Sequence, residues 1–273
     1  MAYLTQEFGK RLGKIAKNGK VMLLAYDQGM EHGPSDFVTS GHEHSAQQNP
    51  INGKNSDPEF ILDIAENGKF TGVVLQKGVA LKYFESRIGK VPLVLKLNGR
   101  TRLVPSDEAY SPQIATVKDA VKLGADAVGY TIYVGSPMEA RMFHEYSQIE
   151  AEARDFGIPT IIWSYPRGRH VPKDKEKSPE MVSYAARAAL ELGADIVKVN
   201  YPGKEGFRHT VEMAGRTQVI SSGGSKESDD QFLQKAREVM ECGGAGFAVG
   251  RNVWQHAEPL KMAEKLRKVI FGN

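Results

Sequence analysis

Eight short, nearly continuous apolar runs punctuate the chain, at 21–26, 72–76, 93–97, 127–132, 160–164, 196–200, 218–221 and 246–249. Each is four to six residues long, and most lack the alternation of apolar and polar positions that marks a half-exposed strand. Such runs predict parallel strands covered on both faces. Between them, apolar positions recur at helical spacing and predict helices over 58–67, 117–123, 136–156, 179–192 and 229–241. A last helix over 253–271 closes the chain, and an amphipathic segment predicts a first one at about 4–18.

An internal echo points to a repeating unit. Leu123-Gly124-Ala125-Asp126 leads into the fourth run, and Leu192-Gly193-Ala194-Asp195 leads into the sixth. Cys242-Gly243-Gly244-Ala245 stands in the same place before the eighth. In each, a glycine ends a helix where a left-handed backbone is wanted, and the chain then enters a buried strand. Eight strand–helix units closing on themselves give an α/β fold of the TIM, (β/α)8-barrel kind. The alternative, a doubly wound open sheet, calls for a GxGxxG turn after the first strand, and the chain has none. One stretch departs from the short-loop pattern. From about 38 to 57 the chain is polar and without apolar period, and loops of that length are usually lids or functional insertions.

Composition narrows the class. For 273 residues the prior of one domain per ~150 residues suggests two, but ~250 residues is the ordinary size of one barrel domain. With 41% apolar and 25% charged residues the chain reads as a soluble globular protein. Cys242 is its only cysteine, which excludes an internal disulfide and argues against a cysteine zinc site. The net charge of +3 comes from bases interspersed with acids, which disfavours a nucleic-acid face. No apolar run approaches the ~20 residues of a membrane span, and no secretory stretch opens the chain. The expectation is a cytoplasmic protein that handles small anions.

Four clusters could carry chemistry. Lys198 lies mid-strand, where alternation places Ile196, Lys198 and Asn200 on one face. A buried ammonium is costly, so burial favours a neutral amine able to attack a carbonyl; a lysine neutralised by a carboxylate, or reaching solvent, is the plainer alternative. The fifth run ends in Trp163 and Tyr165 on one face, followed by Arg167. That is an apolar wall, a proton carrier and a phosphate ligand, or simply aromatic core before a turn. Ser222, Gly223 and Gly224 follow the seventh run, and Gly250 and Arg251 follow the eighth. Barrels often hold phosphate at these two loops. Asp27 caps the first run, where a barrel places catalytic carboxylates, and beyond Gln28 the His32 ring suits a phosphate or hydroxyl; the alternative is a polar turn through Glu31 with a capping aspartate. His42 and His44 invite a metal, but no acidic partner is spaced to complete a site, so they read as surface loop.

Together these segments resemble the archaeal-type class I fructose-1,6-bisphosphate aldolases of the deoxyribose-phosphate-aldolase-like barrel superfamily. The carrying stretches are LAYDQGMEHGP, GVVLQKG, LVLKLNGRT, GADAVGYTIYVGS, IIWSYPRG, ELGADIVKVNY, SSGG and AVGRNVWQ, and they span nearly the whole chain. The resemblance implies a metal-free, cofactor-free lyase that cleaves a phosphorylated sugar, fructose 1,6-bisphosphate, to glycerone phosphate and glyceraldehyde 3-phosphate. It implies that Lys198 forms the Schiff base, Tyr165 moves the proton, Asp27 contacts the sugar hydroxyls and Trp163 walls the pocket. Arg167, Ser222, Gly223, Gly224, Gly250 and Arg251 fall on phosphate-contacting positions, and His32 on a substrate-contacting one. It also implies a homo-oligomer, commonly a decamer. Two departures stand out. Gln28 occupies a position where relatives often carry histidine, and the 38–57 loop is longer than theirs. A sister enzyme, 2-amino-3,7-dideoxy-D-threo-hept-6-ulosonate synthase, shares the lysine and the YPRG segment. Trp163-Ser164-Tyr165 and Lys96-Leu97-Asn98-Gly99 favour the bisphosphate enzyme. A metal-dependent hydrolase on the same barrel and a non-enzymatic phosphate-binding regulatory barrel are the remaining readings.

Overall fold

The computed structural model describes residues 2–33, 36–37 and 54–272, with side chains from Thr5 onward. His42, His44 and most of the polar 38–57 stretch lie outside the described residues. Eight strands, β1 (Val21–Ala25), β2 (Gly72–Gln76), β3 (Leu93–Lys96), β4 (Ala127–Val134), β5 (Thr160–Pro166), β6 (Ile196–Val199), β7 (Gln218–Ser222) and β8 (Gly246–Val249), form a closed barrel in sequence order. Every pairing is parallel, and β8 returns to β1. All eight coincide with the apolar runs; β4 and β5 continue two residues further than expected.

Alternation along each strand sorts the side chains into two cores. Leu23, Val74, Val94, Ala127, Ile161, Ile196, Ile220 and Ala248 point inward and fill the barrel. Their neighbours Leu24, Val73, Leu95, Val128, Ile162, Val197 and Val249 point outward into a larger core shared with the helices. The first helix, α1 (Ala2–Ile15), closes the lower end, with Ile15 packed under the inner cluster. It is tethered there by Arg11 Nη1 donating to the Ala125 carbonyl (2.6 Å) and by the Lys14–Asp126 ion pair (2.7 Å). With that end sealed, side chains at the opposite, C-terminal ends of the strands are the ones left to meet a ligand.

Among the described residues ten further α-helices follow in order: α2 (Gly29–His32), α3 (Pro58–Asn67), α4 (Lys77–Tyr83), α5 (Val117–Lys122), α6 (Glu139–Asp155), α7 (Pro179–Glu191), α8 (Lys204–Ala214), α9 (Asp229–Glu241), α10 (Arg251–Trp254) and α11 (Pro259–Phe271). The echoed glycines do what the pattern required: Gly124, Gly193 and Gly243 adopt φ of +69°, +86° and +85° just before β4, β6 and β8. Among the described residues no helix is long and apolar enough to cross a membrane.

Three helix expectations need correction. The single helix over 253–271 is two, α10 and α11, because Pro259 can sit in a first turn but not in a helix interior. α6 starts at Glu139 rather than 136, since the Ser136 hydroxyl is spent on the Met138 amide and the Ala109 carbonyl. The first helix runs 2–15 rather than 4–18, stopped at the turn through Asn18 and Gly19, both of positive φ. α4 and α8 were not anticipated: α4 is only seven residues long, and α8 buries a threonine where an apolar residue would have marked its face. That residue, Thr210, is wholly buried and bonded to the Gly206 carbonyl and the Ser183 hydroxyl.

Candidate active site

The inward-facing positions near the strand ends differ in kind from those below. Gln76 on β2, Lys96 on β3, Thr131 on β4, Trp163 and Tyr165 on β5, Lys198 on β6 and Ser222 on β7 replace aliphatic side chains. They surround a cavity of about 260 Å³, completed by the turn after β1 and the loops after β7 and β8. All twelve residues singled out above line it: Asp27, Gln28, His32, Trp163, Tyr165, Arg167, Lys198, Ser222, Gly223, Gly224, Gly250 and Arg251. Among the described residues no three His, Cys, Asp or Glu side chains converge as a metal-ligand set.

Lys198 pairs in register with Trp163, so strand geometry alone sets the amine beside the indole, with Nζ 5.3 Å from the ring centroid. The lysine is 7% exposed, and among the described residues nothing hydrogen-bonds its amine. Burial pushes its pKa down from the ordinary lysine value, Asp27 and Glu31 oppose that, and Arg251 adds to it. Tyr165 is shifted the other way. Burial raises it well above 10, and Asp27 and Glu31 raise it further, so its hydroxyl keeps its proton at neutral pH. Neither that hydroxyl nor the Asp27 carboxylate hydrogen-bonds a described residue. The buried Trp163 Nε1 and both ends of the Gln28 amide likewise lack a partner among the described residues. An unmatched buried polar group costs ~1–3 kcal/mol, so their convergence on one cavity marks a surface built for a polar ligand.

Two cationic ends flank this centre. At one, Asn252, nearly fully buried, staples the turn after β7: its Nδ2 donates to the Gly223 (2.8 Å) and Ser225 (2.9 Å) carbonyls, and its Oδ1 accepts from the Glu227 amide. Arg251 reaches across that turn to the Gly224 carbonyl (3.2 Å) and faces Asp36 at 3.8 Å. Asp36 in turn holds His32 Nδ1 at 2.7 Å. At the other end, Arg167 lies over the Tyr133 ring, 5.1 Å from its centroid, and donates from Nη1 to Glu31 (3.0 Å). The two arginines expected at phosphate-contacting positions thus each face a carboxylate of the segment that follows β1.

A buried lysine whose amine hydrogen-bonds no described residue thus sits in a closed barrel between two cationic ends. Residues 21–256 match the model of the family described as DeoC/LacD family aldolase. The chain belongs to that family. It is 46% identical over 275 residues to the class 1 fructose-bisphosphate aldolase of Thermoproteus tenax, covering 100% of this chain and 97% of that protein. The solved structure of an archaeal fructose 1,6-bisphosphate aldolase superposes with a TM-score of 0.88 at 45% identity, covering 99% of this chain and all of that one. Another archaeal aldolase structure has its catalytic lysine covalently bound to the substrate's carbinolamine intermediate; it covers 98% of this chain and 100% of that one, at 44% identity and a TM-score of 0.87.

Several residues in or beside this aldolase-family site were given no site role from the sequence, among them Lys96, Glu31, Arg100 and Asn252. Lys96 was legible: it has the same inward phase as Val94 and is as unexpected mid-strand as Lys198. Glu31 was read only as part of a polar turn, and its partner is 136 residues away. Arg100, which lines the cavity from the loop after β3, and Asn252 carry no local pattern that separates them from ordinary loop residues.

Proposed function

We propose that this chain is a class I fructose-1,6-bisphosphate aldolase, working through an imine on Lys198. One observation carries the reading: among the described residues nothing hydrogen-bonds the buried Lys198 amine, the Tyr165 hydroxyl or the Asp27 carboxylate, and all three share one cavity. The amine attacks the C2 carbonyl of the open-chain ketose, and loss of water leaves a protonated imine. When the C3–C4 bond breaks, its electron pair flows into that cation, the C4 hydroxyl gives up its proton, and glyceraldehyde 3-phosphate departs. Tyr165 protonates the resulting enamine at C3, and hydrolysis releases glycerone phosphate. The imine is itself the electron sink, so the route calls for no metal or cofactor. Asp27 orders the sugar hydroxyls, Trp163 walls the reacting carbons, and His32 and Gln28 border the chain of hydroxyls. Arg251 with Ser222, Gly223, Gly224 and Gly250 takes one phosphate, and Arg167 takes the other, exchanging Glu31 for it. Fixing both ends turns remote binding energy into orientation of the scissile bond. The reading carries with it one barrel as the whole catalytic unit, a cytoplasmic location and self-association into a homo-oligomer.

The deciding experiment is borohydride reduction in the presence of glycerone phosphate followed by peptide mass spectrometry. The adduct is expected on Lys198. No adduct, or one on a different lysine, rejects the reading.

Gly129→Ala tests the indole's part. Gly129 stands inward on β4, and an added Cβ there comes within 2.5 Å of Cη2 of Trp163. The ring, the nearest group the added carbon meets, must then shift. The variant is expected to fold but to lose ~100-fold in kcat/KM, the order expected when reacting groups shift by about an ångström. Full activity in this variant removes Trp163 as a positioning wall.

A further inference from the structure

The two cationic ends of the cavity are not held alike. Arg251 stands 3.8 Å from Asp36, beyond hydrogen-bond reach, above a turn that Asn252 already fixes. Arg167 is engaged. Its Nη1 donates to Glu31 Oε1 at 3.0 Å, and the Tyr133 hydroxyl donates to the same oxygen at 3.2 Å. Glu31 belongs to α2, just past β1, so it reaches across the mouth to the end of β5, four strands away in the barrel. Two guanidinium groups lie over the Tyr133 ring. Arg100, 5.8 Å from its centroid, donates from Nε and Nη2 to carbonyls of its own turn at Thr101, Val104 and Pro105, and Arg167, at 5.1 Å, takes the carboxylate. Glu176, from the loop after β5, is the other carboxylate near Arg167, and it lines the cavity without bonding it.

The charge of Arg251 is felt at Lys198, and that of Arg167 at Tyr165. The C1 phosphate, one carbon from the imine, therefore belongs with Arg251, and the C6 phosphate with Arg167. The two halves of the sugar leave differently. When the C3–C4 bond breaks, the donor half stays covalently bound to Lys198, whereas the aldehyde half is held by its noncovalent contacts alone and has to leave first. A carboxylate already seated on Arg167 competes with the C6 phosphate for the guanidinium, and once displaced it stands beside a dianion; both effects weaken that end alone. With its side chain 33% exposed, Glu31 can let go of Arg167 and be hydrated, where a fully buried carboxylate could not. We propose that Glu31 is an internal competitor for the C6 phosphate: it occupies Arg167 in the empty site, keeps the acceptor end weaker than the donor end, and reclaims the guanidinium as glyceraldehyde 3-phosphate departs.

This rests on the functional reading above, and the test separates the two. Binding is measured by calorimetry on full-length Lys198→Ala, which cannot turn over, with and without Glu31→Gln. Glutamine keeps the side chain's length and an acceptor oxygen for Arg167 and Tyr133, but not the charge. Fructose 1,6-bisphosphate should bind about tenfold more tightly once Glu31 is neutral, because the change removes a competing ion pair and the repulsion of a dianion together. Fructose 1-phosphate, which lacks the C6 phosphate, should be nearly unaffected. In the chain that retains Lys198, Glu31→Gln should make glyceraldehyde 3-phosphate a correspondingly stronger inhibitor of cleavage. Weaker binding of the bisphosphate would make Glu31 a brace for Arg167 and overturns the proposal. So does unchanged binding, unchanged product inhibition, or equal tightening of both sugars, the mark of a general charge effect. Glu31→Ala should tighten the bisphosphate likewise and replaces Glu31→Gln if that variant does not fold; failure of both to fold makes the carboxylate structural and also overturns the proposal. Failure of Lys198→Ala to bind either sugar, or absence of glycerone phosphate trapping on Lys198 in the wild type, instead overturns the underlying functional reading.

Discussion

Lys198→Ala is expected to lose all measurable cleavage of fructose 1,6-bisphosphate and all reductive trapping of glycerone phosphate, with the barrel intact. The substitution removes the nucleophile, and nothing else in the cavity can replace it. Lys96 is near, but its amine is tied to two acceptors of Asn98 and remains mainly protonated at neutral pH. Without the imine, the electrons of the C3–C4 bond have no cation to enter, and the loss should reach at least about four orders of magnitude in kcat, roughly 5–6 kcal/mol of barrier. Residual activity near the wild-type level would sink the assignment of Lys198. Stability should move the opposite way. Because burial depresses the Lys198 pKa in the folded chain, the unfolded chain binds a proton there that the folded chain holds less readily. That costs the fold stability at neutral pH, and the cost fades as pH rises past the ordinary lysine value of 10.5. Lys198→Met, which keeps the bulk, should therefore melt higher than wild type at pH 7 and approach it towards pH 10.5, as followed by thermal unfolding.

What could be read from the chain beforehand follows from where information is local. The strands were legible because a barrel strand is covered on both faces, so VVL or IVKV needs no context to be recognised as buried. The same covering made Lys198 conspicuous: a single cation inside an apolar run contradicts its surroundings. Lys96 contradicts its own run equally, but it entered only within the LVLKLNGRT and Lys96-Leu97-Asn98-Gly99 stretches and was given no role of its own. Other features depend on contacts that no spacing reveals. Nothing around Glu31 announces that it will meet Arg167 and the Tyr133 hydroxyl, at 3.0 and 3.2 Å. Nothing local distinguishes the arginine expected to take phosphate from one already facing a carboxylate. The break between α10 and α11 was a local signal misweighed, since Pro259 inside a run of helical period should have ended it.

Tyr165→Phe should divide the reaction at its proton-transfer step. The ring would keep its place on β5, and since the hydroxyl bonds no described residue, its removal orphans no partner and should leave folding and substrate binding unchanged. Imine formation needs only Lys198 and the carbonyl, so trapping of glycerone phosphate on Lys198 should persist. Turnover should fall by about 10²–10⁴-fold, the usual worth of a positioned acid or base. The direction of the Tyr165 shift bears on how the step works. Burial, Asp27 and Glu31 all hold the phenol protonated, which suits a donor to the enamine in cleavage. In condensation the same oxygen must first accept a proton from C3, and the positive imine formed beside it on Lys198 offsets the carboxylates at just that stage. The sharpest readout is accordingly solvent deuterium exchange into C3 of glycerone phosphate, which reports this proton transfer without the aldehyde. Exchange should be lost in Tyr165→Phe while trapping survives. Exchange at the wild-type rate would transfer the role to Asp27, whose carboxylate also hydrogen-bonds no described residue, and Asp27→Asn would then be the variant in which exchange stops.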